Sequence, residues 1–265
     1  MDDHKTWLAG VFDRAAPTYD RVGDAYHEHF AGRLLDLVPL PDAAHLLDVA
    51  CGRGAVLRAA AERGVDRLTG VDFSATMIDL AEEDLRAAGI TDVDLRVMDA
   101  EQLEFDDASF DVLTAAFALF FLPRPERAAA EFHRVLRPAG VVAVSTWGED
   151  DERWRFEGEL LASLGAPPLR ALQHPFDTPD DVTALLMSAG FSNLQAHLEE
   201  TEIAFSSKDE WWAWRWSFSG RGLLEQLDPS VLAAYRAACF DELDALHTRV
   251  GYPLRLRALL VTGRT

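Results

Sequence analysis

The chain has 265 residues, 49% of them hydrophobic, with 25 Lys and Arg set against 45 Asp and Glu for a formal net charge of −20. That length supports one substantial core, and so negative a field without a basic tract argues against nucleic acid as a partner. No apolar run approaches the roughly 20 residues that span a bilayer, the first residues do not read as a secretion signal, and Cys51 and Cys239 form neither a disulfide framework nor a zinc spacing. A cytoplasmic protein with no metal and no membrane span is expected.

In chain order, Tyr26, Phe30 and Leu34 recur at helical spacing near the N-terminus. Residues 46–49 then form a short apolar run suited to a buried parallel strand, and Gly52 and Gly54 let the chain turn tightly into a helix from Ala55. A dinucleotide turn needs a third small residue where this chain has Leu57, and Asp48 would repel a pyrophosphate. The turn therefore suits a cationic or zwitterionic ligand. Cys51 reads as an inert small residue in that turn.

A second strand, 67–72, ends in Asp72, about 20 residues on, where a carboxylate accepts from both hydroxyls of a ribose. Asp72 also stands just before Ser74, an N-cap for a helix ending at Gly89, so a purely local role competes with ribose binding. Phe73 and Met77 are spaced to cover one face of an adenine, although Met77 suits a core equally well. The strand 93–97 leads to Asp99, placed to accept from an exocyclic amine, and the strand 110–117 ends in Phe117. Asp111 reads as a turn-fixing residue. Four acidic or aromatic strand ends thus collect at the carboxyl edge of a sheet, where open α/β folds bind ligands.

A fifth strand spans 141–146 and a helix spans 179–189, stopped by Gly190. Strands 193–203 and 254–262 are expected to pair antiparallel. Two insertions, 148–176 and 205–252, are long enough to make a lid. In the second, Ser207 to Glu210 form a capping box that starts a helix containing Trp211, Trp212, Trp214, Trp216 and Phe218. Trp211, Trp214 and Phe218 share one stripe and Trp212 and Trp216 another; one stripe should pack on the core and leave the other to a pocket. The alternative, that all of these rings are structural, has equal weight. A helix over 229–249, with Leu232, Tyr235, Cys239, Leu243 and Leu246 along one side, would support this lid.

The segments L-L-D-V-A-C-G-R-G (46–54), V-D-F-S (71–74) and D-A-E-Q-L-E-F-D-D-A-S-F-D-V-L (99–113) together resemble the class I S-adenosylmethionine-dependent methyltransferases. The third segment, F-H-R-V-L-R-P-A-G (132–140) and V-F-D-R-A-A-P-T-Y-D (11–20) are similar to the small-molecule branch typified by the ubiquinone and menaquinone C-methyltransferases. The resemblance covers about 11–148 and fades beyond. Glu104 stands where that branch usually has proline, and Ala139 where it usually has glycine.

The resemblance implies a doubly wound, Rossmann-like α/β fold. Its seven-stranded, mostly parallel sheet would carry an antiparallel last strand and helical lid insertions. One domain would cover 1–265, with lid segments at about 1–36, 148–176 and 205–252. It implies S-adenosylmethionine as cofactor. Ala50, Gly52 and Gly54 would pass beside its methionine part and Asp48 would sit near the ammonium. Asp72, Phe73 and Met77 would hold the ribose and adenine, and Asp99, Ala100 and Glu101 the adenine edge. Phe117 would border the methyl, and Tyr19 would close over the ligand.

The expected acceptor is a small, largely apolar or aromatic molecule bound by Trp147, Trp211, Trp212, Trp214 and Trp216, with O-methylation ahead of C- or N-methylation. A general base is sought among His27, His29, His133 and His174, with His174 preferred. The rivals are a cofactor-binding protein without methyl transfer, such as a cyclase or regulatory partner, and a protein or peptide methyltransferase with an open acidic cleft. Only Lys5 and Lys208 among the basic residues are lysines, which points to GC-rich coding and a bacterial source.

Overall fold

The computed structural model describes residues 3–165 and 176–265. Seven strands, β1 (His45–Val49), β2 (Arg67–Asp72), β3 (Val93–Val97), β4 (Phe110–Ala116), β5 (Leu136–Trp147), β6 (Ser192–Phe205) and β7 (Tyr252–Arg264), form one sheet in the order β3-β2-β1-β4-β5-β7-β6. The first five run parallel, and β7 enters antiparallel between β5 and β6. Strand order reverses between β1 and β4, so the chain leaves the carboxyl ends of these neighbours in opposite directions and opens a crevice there.

The central strands are buried on both faces because alternate residues point to opposite sides of the sheet. Leu46 and Val112 join one apolar cluster, with Phe30 of α2 (Tyr26–Asp36), Leu57 of α3 (Ala55–Glu62), Leu85 of α4 (Ala75–Ala87), Trp211 of α8 (Lys208–Arg215) and Tyr235 of α10 (Pro229–Leu246). Leu47 and Leu113 join the other, with Phe132 of α5 (Pro125–Val135) and Leu186 of α7 (Pro179–Ser188). Three further helices, α1 (Asp3–Ala15), α6 (Phe156–Ser163) and the short α9 (Arg221–Leu224), complete the covering.

The expected sheet and its antiparallel pair are present, with Thr201 opposite Leu256, but three boundaries differ from the sequence reading. β5 begins at Leu136 instead of 141, through an irregularity opposite Phe110 that turns at Ala139, a left-handed residue with φ of 64°. The tryptophan helix α8 stops at Arg215, so Trp216 is its C-cap and Phe218 lies outside it; the Ser217 hydroxyl donates to the Trp214 carbonyl there. Ser207 caps the helix as expected, while the Glu210 carboxylate accepts from the Ser206 N–H and hydroxyl. α10 ends at Leu246, before a tight turn closed between Thr248 and Gly251. Tyr235, Cys239 and Leu243 form its buried face.

Candidate active site

The turn from β1 into α3 shapes the crevice. Ala50, Gly52 and Gly54 all have positive φ (57°, 50° and 86°), which folds the backbone sharply across the strand end. A Cβ on Gly52 would meet nothing within 4 Å, so the turn is open to a ligand there. Leu57, in place of the third glycine of a dinucleotide turn, is fully buried in the core. Both cysteines are free and buried; burial pushes the Cys51 thiol well up and leaves it inert.

Two carboxylates lie under this turn. Asp48 is 1% exposed and accepts from the Thr114 hydroxyl at 2.7 Å. Burial pushes its pKa up to about 7, against the opposing pull of that hydrogen bond. Asp72 accepts from the Gly52 N–H at 2.8 Å and the Ser74 N–H at 2.9 Å, tying the end of β2 to the glycine turn. Its pKa is also raised, again chiefly by burial. Ser74 caps α4 by accepting from the Met77 N–H, so the cap belongs to Ser74 and Asp72 acts across the crevice.

The crevice has two compartments that share Tyr19, Ala50, Gly52 and Phe117. One, of about 120 Å³, is lined by Asp72, Phe73, Met77, Asp99 and Ala100 and roofed by Lys5, Leu8 and Phe12 of α1. The other, of about 330 Å³, is lined by Asp48 and Gly54. Eleven of the twelve residues expected to hold the cofactor therefore meet in one cleft. Glu101 does not line it. Its side chain is taken by the Arg124 N–H and Nε, both at 2.8 Å, and by Lys5 Nζ at 2.7 Å. Lys5 also donates to both oxygens of Asp99, at 2.9 and 2.7 Å. It fastens α1 over the smaller compartment, which sequence reasoning did not anticipate.

Phe117 is held in the left-handed region (φ 52°), with its N–H donating to the Ser145 carbonyl at 2.9 Å. A bulky residue in that conformation is uncommon and persists only where the surroundings hold it. Its ring stacks on Trp147 at 4.2 Å. Trp147 in turn borders a chamber of about 490 Å³, walled by Tyr26, Trp147, Trp154, Trp214 and Phe218 and reached by Trp7 of α1. The Phe117–Trp147 stack thus stands between the cleft and an aromatic chamber of ligand size.

Of the five tryptophans expected at the acceptor, Trp147 and Trp214 line this chamber. Trp211 is fully buried against Trp154 and Phe240. Trp212 and Trp216 turn away and lie under the guanidinium groups of Arg236 and Arg221. A single face of α8 thus serves both core and chamber, and the second stripe faces outward. Trp154, whose ring N–H donates to the Pro253 carbonyl at 2.9 Å, was missed because it precedes α6 without a periodic pattern.

Among the histidines, His174 lies outside the described residues. His133 packs on Phe191, and His29 faces Glu199 at the surface. His27 is in the cleft. Its Nε2 is 3.0 Å from the Tyr19 hydroxyl and its Nδ1 3.1 Å from Asp20, and its ring meets Phe117 edge-on. Burial, followed by Asp20, pushes the Tyr19 phenol far above its ordinary pKa, so it stays protonated.

This donor set fits a ligand with a cation at one end and hydroxyls in the middle: a buried carboxylate that gains from a positive neighbour, a second carboxylate at the β2 end, and an apolar slot under α1. The comparisons agree. Residues 47–144 match a family described as a methyltransferase domain. The chain is 32% identical to nocamycin O-methyltransferase of Saccharothrix syringae, over 96% of this chain and 97% of that protein. It is 36% identical to demethylmenaquinone methyltransferase of Lactiplantibacillus plantarum, over 71% and 88%. Among solved structures it shares the fold of Bacillus subtilis YcgJ (TM-score 0.62, 19% identity, 89% and 98% covered). It shares it also with Haemonchus contortus phosphoethanolamine N-methyltransferase 2 in complex with S-adenosyl-L-methionine (TM-score 0.56, 16% identity, 97% and 57% covered). With its cleft at the β1/β4 switch point and a full-length methyltransferase relative, the chain belongs to the class I S-adenosylmethionine-dependent methyltransferases.

Proposed function

We propose that this enzyme methylates an oxygen of a small, largely apolar or aromatic acceptor bound in the chamber behind Trp147. The observation that carries the reading is the Phe117–Trp147 stack, with the cofactor cleft on one side and the aromatic chamber on the other. In this reading Asp72 and Asp99 take the ribose and the adenine edge, and Asp48 and the Gly52–Gly54 turn take the methionine end. The described parts of the lid segments 1–36, 148–176 and 205–252 serve as the lid of a single domain; residues 1–2 and 166–175 lie outside the described residues. The sulfonium of the bound cofactor makes its methyl electrophilic. The protein's contribution is to align the acceptor and exclude water, which supplies much of the acceleration.

O-methylation also requires loss of a proton. Tyr19 and His27 lie on the cleft side of the Phe117–Trp147 stack; in the tautomer where Asp20 holds the His27 Nδ1–H, Nε2 accepts from the Tyr19 hydroxyl, and an acceptor oxygen that reaches past the stack to Tyr19 passes its proton to His27. The net charge of −20 supports a small acceptor over a polyanion, and two buried free cysteines support a cytoplasmic setting. Among the described residues no helix is long and apolar enough to cross a membrane.

The test is incubation with S-adenosylmethionine and a panel of phenols, quinols, enols and amines. The expected result is S-adenosylhomocysteine formed only with an acceptor, and one methyl gained on its oxygen. His27→Gln should slow turnover by roughly 10²- to 10⁴-fold, the usual worth of a general base, with little change in S-adenosylhomocysteine affinity. Turnover without an acceptor, or methylation of carbon at an undiminished rate in His27→Gln, refutes the reading.

A further inference from the structure

The acceptor chamber joins an aromatic wall to a charged one, and among the described residues only Arg215 brings a positive charge into its buried part. Arg215, the last residue of α8, is buried and lines it together with Glu157 of α6. Their closest approach is Arg215 Nε to Glu157 Oε2 at 3.0 Å, and the Tyr235 hydroxyl of α10 donates to the same oxygen at 3.4 Å. The contact is close but not aligned: the buried Nε has no hydrogen-bond partner among the described residues. The guanidinium lies over the Phe218 ring, which also faces the chamber, at 5.5 Å.

An ion pair in such a place costs several kcal/mol per charge to desolvate, and well-packed apolar residues of similar volume are often at least as stable. A misaligned pair recovers less of that cost, so stability alone gives no account of Arg215.

The charge around Arg215 is mixed, with five carboxylates (Glu149, Asp150, Asp151, Glu157 and Glu159) beside the arginines, so the pairing decides which cation is left to meet an anion. Four arginines line the chamber, Arg155, Arg215, Arg255 and Arg257, in a chain whose formal net charge is −20. Arg255 and Arg257 are turned to Glu200, and Arg257 also to Glu149. Arg155 is exposed at the edge of the chamber and has no ion-pair partner among the described residues. Asp150 and Glu159 lie exposed on the rim, whereas the buried Asp151 is neutralised by Arg153. An acidic ligand meets an unpaired arginine on entry and a buried one inside.

We propose that Arg215, positioned by Glu157, anchors the acceptor, and that the acceptor carries an acidic oxygen, a carboxylate or an ionised enol or phenol, on an aromatic or apolar skeleton. The planar guanidinium suits such a group because it offers paired donors in a fixed fork. The Tyr235–Glu157 contact fixes the far side of the anchor. This inference rests on the chamber being the acceptor site, and its test separates the two.

The protein is saturated with S-adenosylhomocysteine and titrated calorimetrically with 6-hydroxy-2-naphthoate and with its uncharged carboxamide. The carboxylate should bind at least about tenfold more tightly, the factor set by a charge-assisted over a neutral hydrogen bond. Arg215→Met should abolish the preference with S-adenosylhomocysteine affinity unchanged. Because that variant strands Glu157 in the interior, the double variant Glu157→Gln with Arg215→Met is made beside it and carries the same expectation. Equal binding of the two probes to the unaltered protein, or a preference that survives in both variants, overturns the proposal while leaving the chamber as acceptor site. If neither probe binds although S-adenosylhomocysteine does, both readings fall.

Discussion

Asp48 offers the sharpest test of the cofactor cleft, because its carboxyl is buried with one hydroxyl for company and titrates near pH 7 instead of its ordinary 3.8. Between those values the folded protein holds a proton that the unfolded chain has released. Stability therefore falls as pH rises through that window and levels off above about 7. At 1.36 kcal/mol per pKa unit, an elevation to about 7 is worth about 4 kcal/mol between the two ends. Asp48→Asn keeps the shape and an acceptor for Thr114 but removes the proton.

Urea unfolding of the ligand-free protein at intervals from pH 5 to 8 should show a descending component for the unaltered chain that the variant lacks. The difference between the two curves isolates Asp48 from Asp111 and Glu131, whose pKa values are lowered and whose contributions run in the opposite direction. A cation brought beside Asp48 lowers its pKa. Binding of S-adenosylhomocysteine near pH 6.5 should therefore release protons, visible as a dependence of calorimetric heat on buffer ionisation enthalpy, and Asp48→Asn should release fewer. Parallel stability curves for the two proteins, with equal proton release, would refute the assignment of Asp48 to the ammonium.

Asp72→Ala should weaken S-adenosylhomocysteine binding by roughly 1 to 3 kcal/mol, the scale of lost charged hydrogen bonds; an unchanged dissociation constant contradicts the ribose role. Lys5→Ala leaves Glu101, whose side chain is 2% exposed, with Arg124 as its remaining cation. Breaking such a buried pair costs about 3 kcal/mol, measured by urea unfolding, and a loss below that of a surface pair removes the argument that Lys5 fastens α1. Ala139→Gly relieves a left-handed residue with φ of 64°. The gain is less than about 1 kcal/mol, because glycine also adds entropy to the unfolded chain, and a lower melting temperature would contradict it.

The meeting of the residues expected at the cofactor in one cleft was legible because topology does most of the placing. Once β1, β2, β3 and β4 are parallel neighbours, Asp48, Asp72, Asp99 and Phe117 are delivered to one edge whatever the rest of the chain does. Glu101 does not join them: it sits two residues from Asp99, but its side chain points to Arg124. The chamber proposed for the acceptor has no such organiser. Its walls come from α1, β5, α6 and α8, and Trp154, Glu157 and Arg215 come together only through packing between distant segments. The stripes of α8 gave the right periodicity but not the direction, since Arg221 and Arg236 cover the outward tryptophans as well as a pocket would.

The two buried carboxylates also explain why the empty cleft and the filled one should differ in more than occupancy. Asp48 and Asp72 each have a pKa raised chiefly by burial, and Asp72 adds to the rise at Asp48. The ligand-free enzyme thus keeps an unfavourable charge arrangement that sheet topology forces on it. A nucleoside that brings an ammonium beside Asp48 removes that penalty on binding, so part of its affinity is stability the fold lacked before. The rise in melting temperature on adding S-adenosylhomocysteine should accordingly be larger at pH 8, where Asp48 is ionised, than at pH 5.5, and the dependence should shrink in Asp48→Asn. A rise of equal size at both pH values would mean that the carboxylates are spectators and that the apolar slot under α1 does the binding.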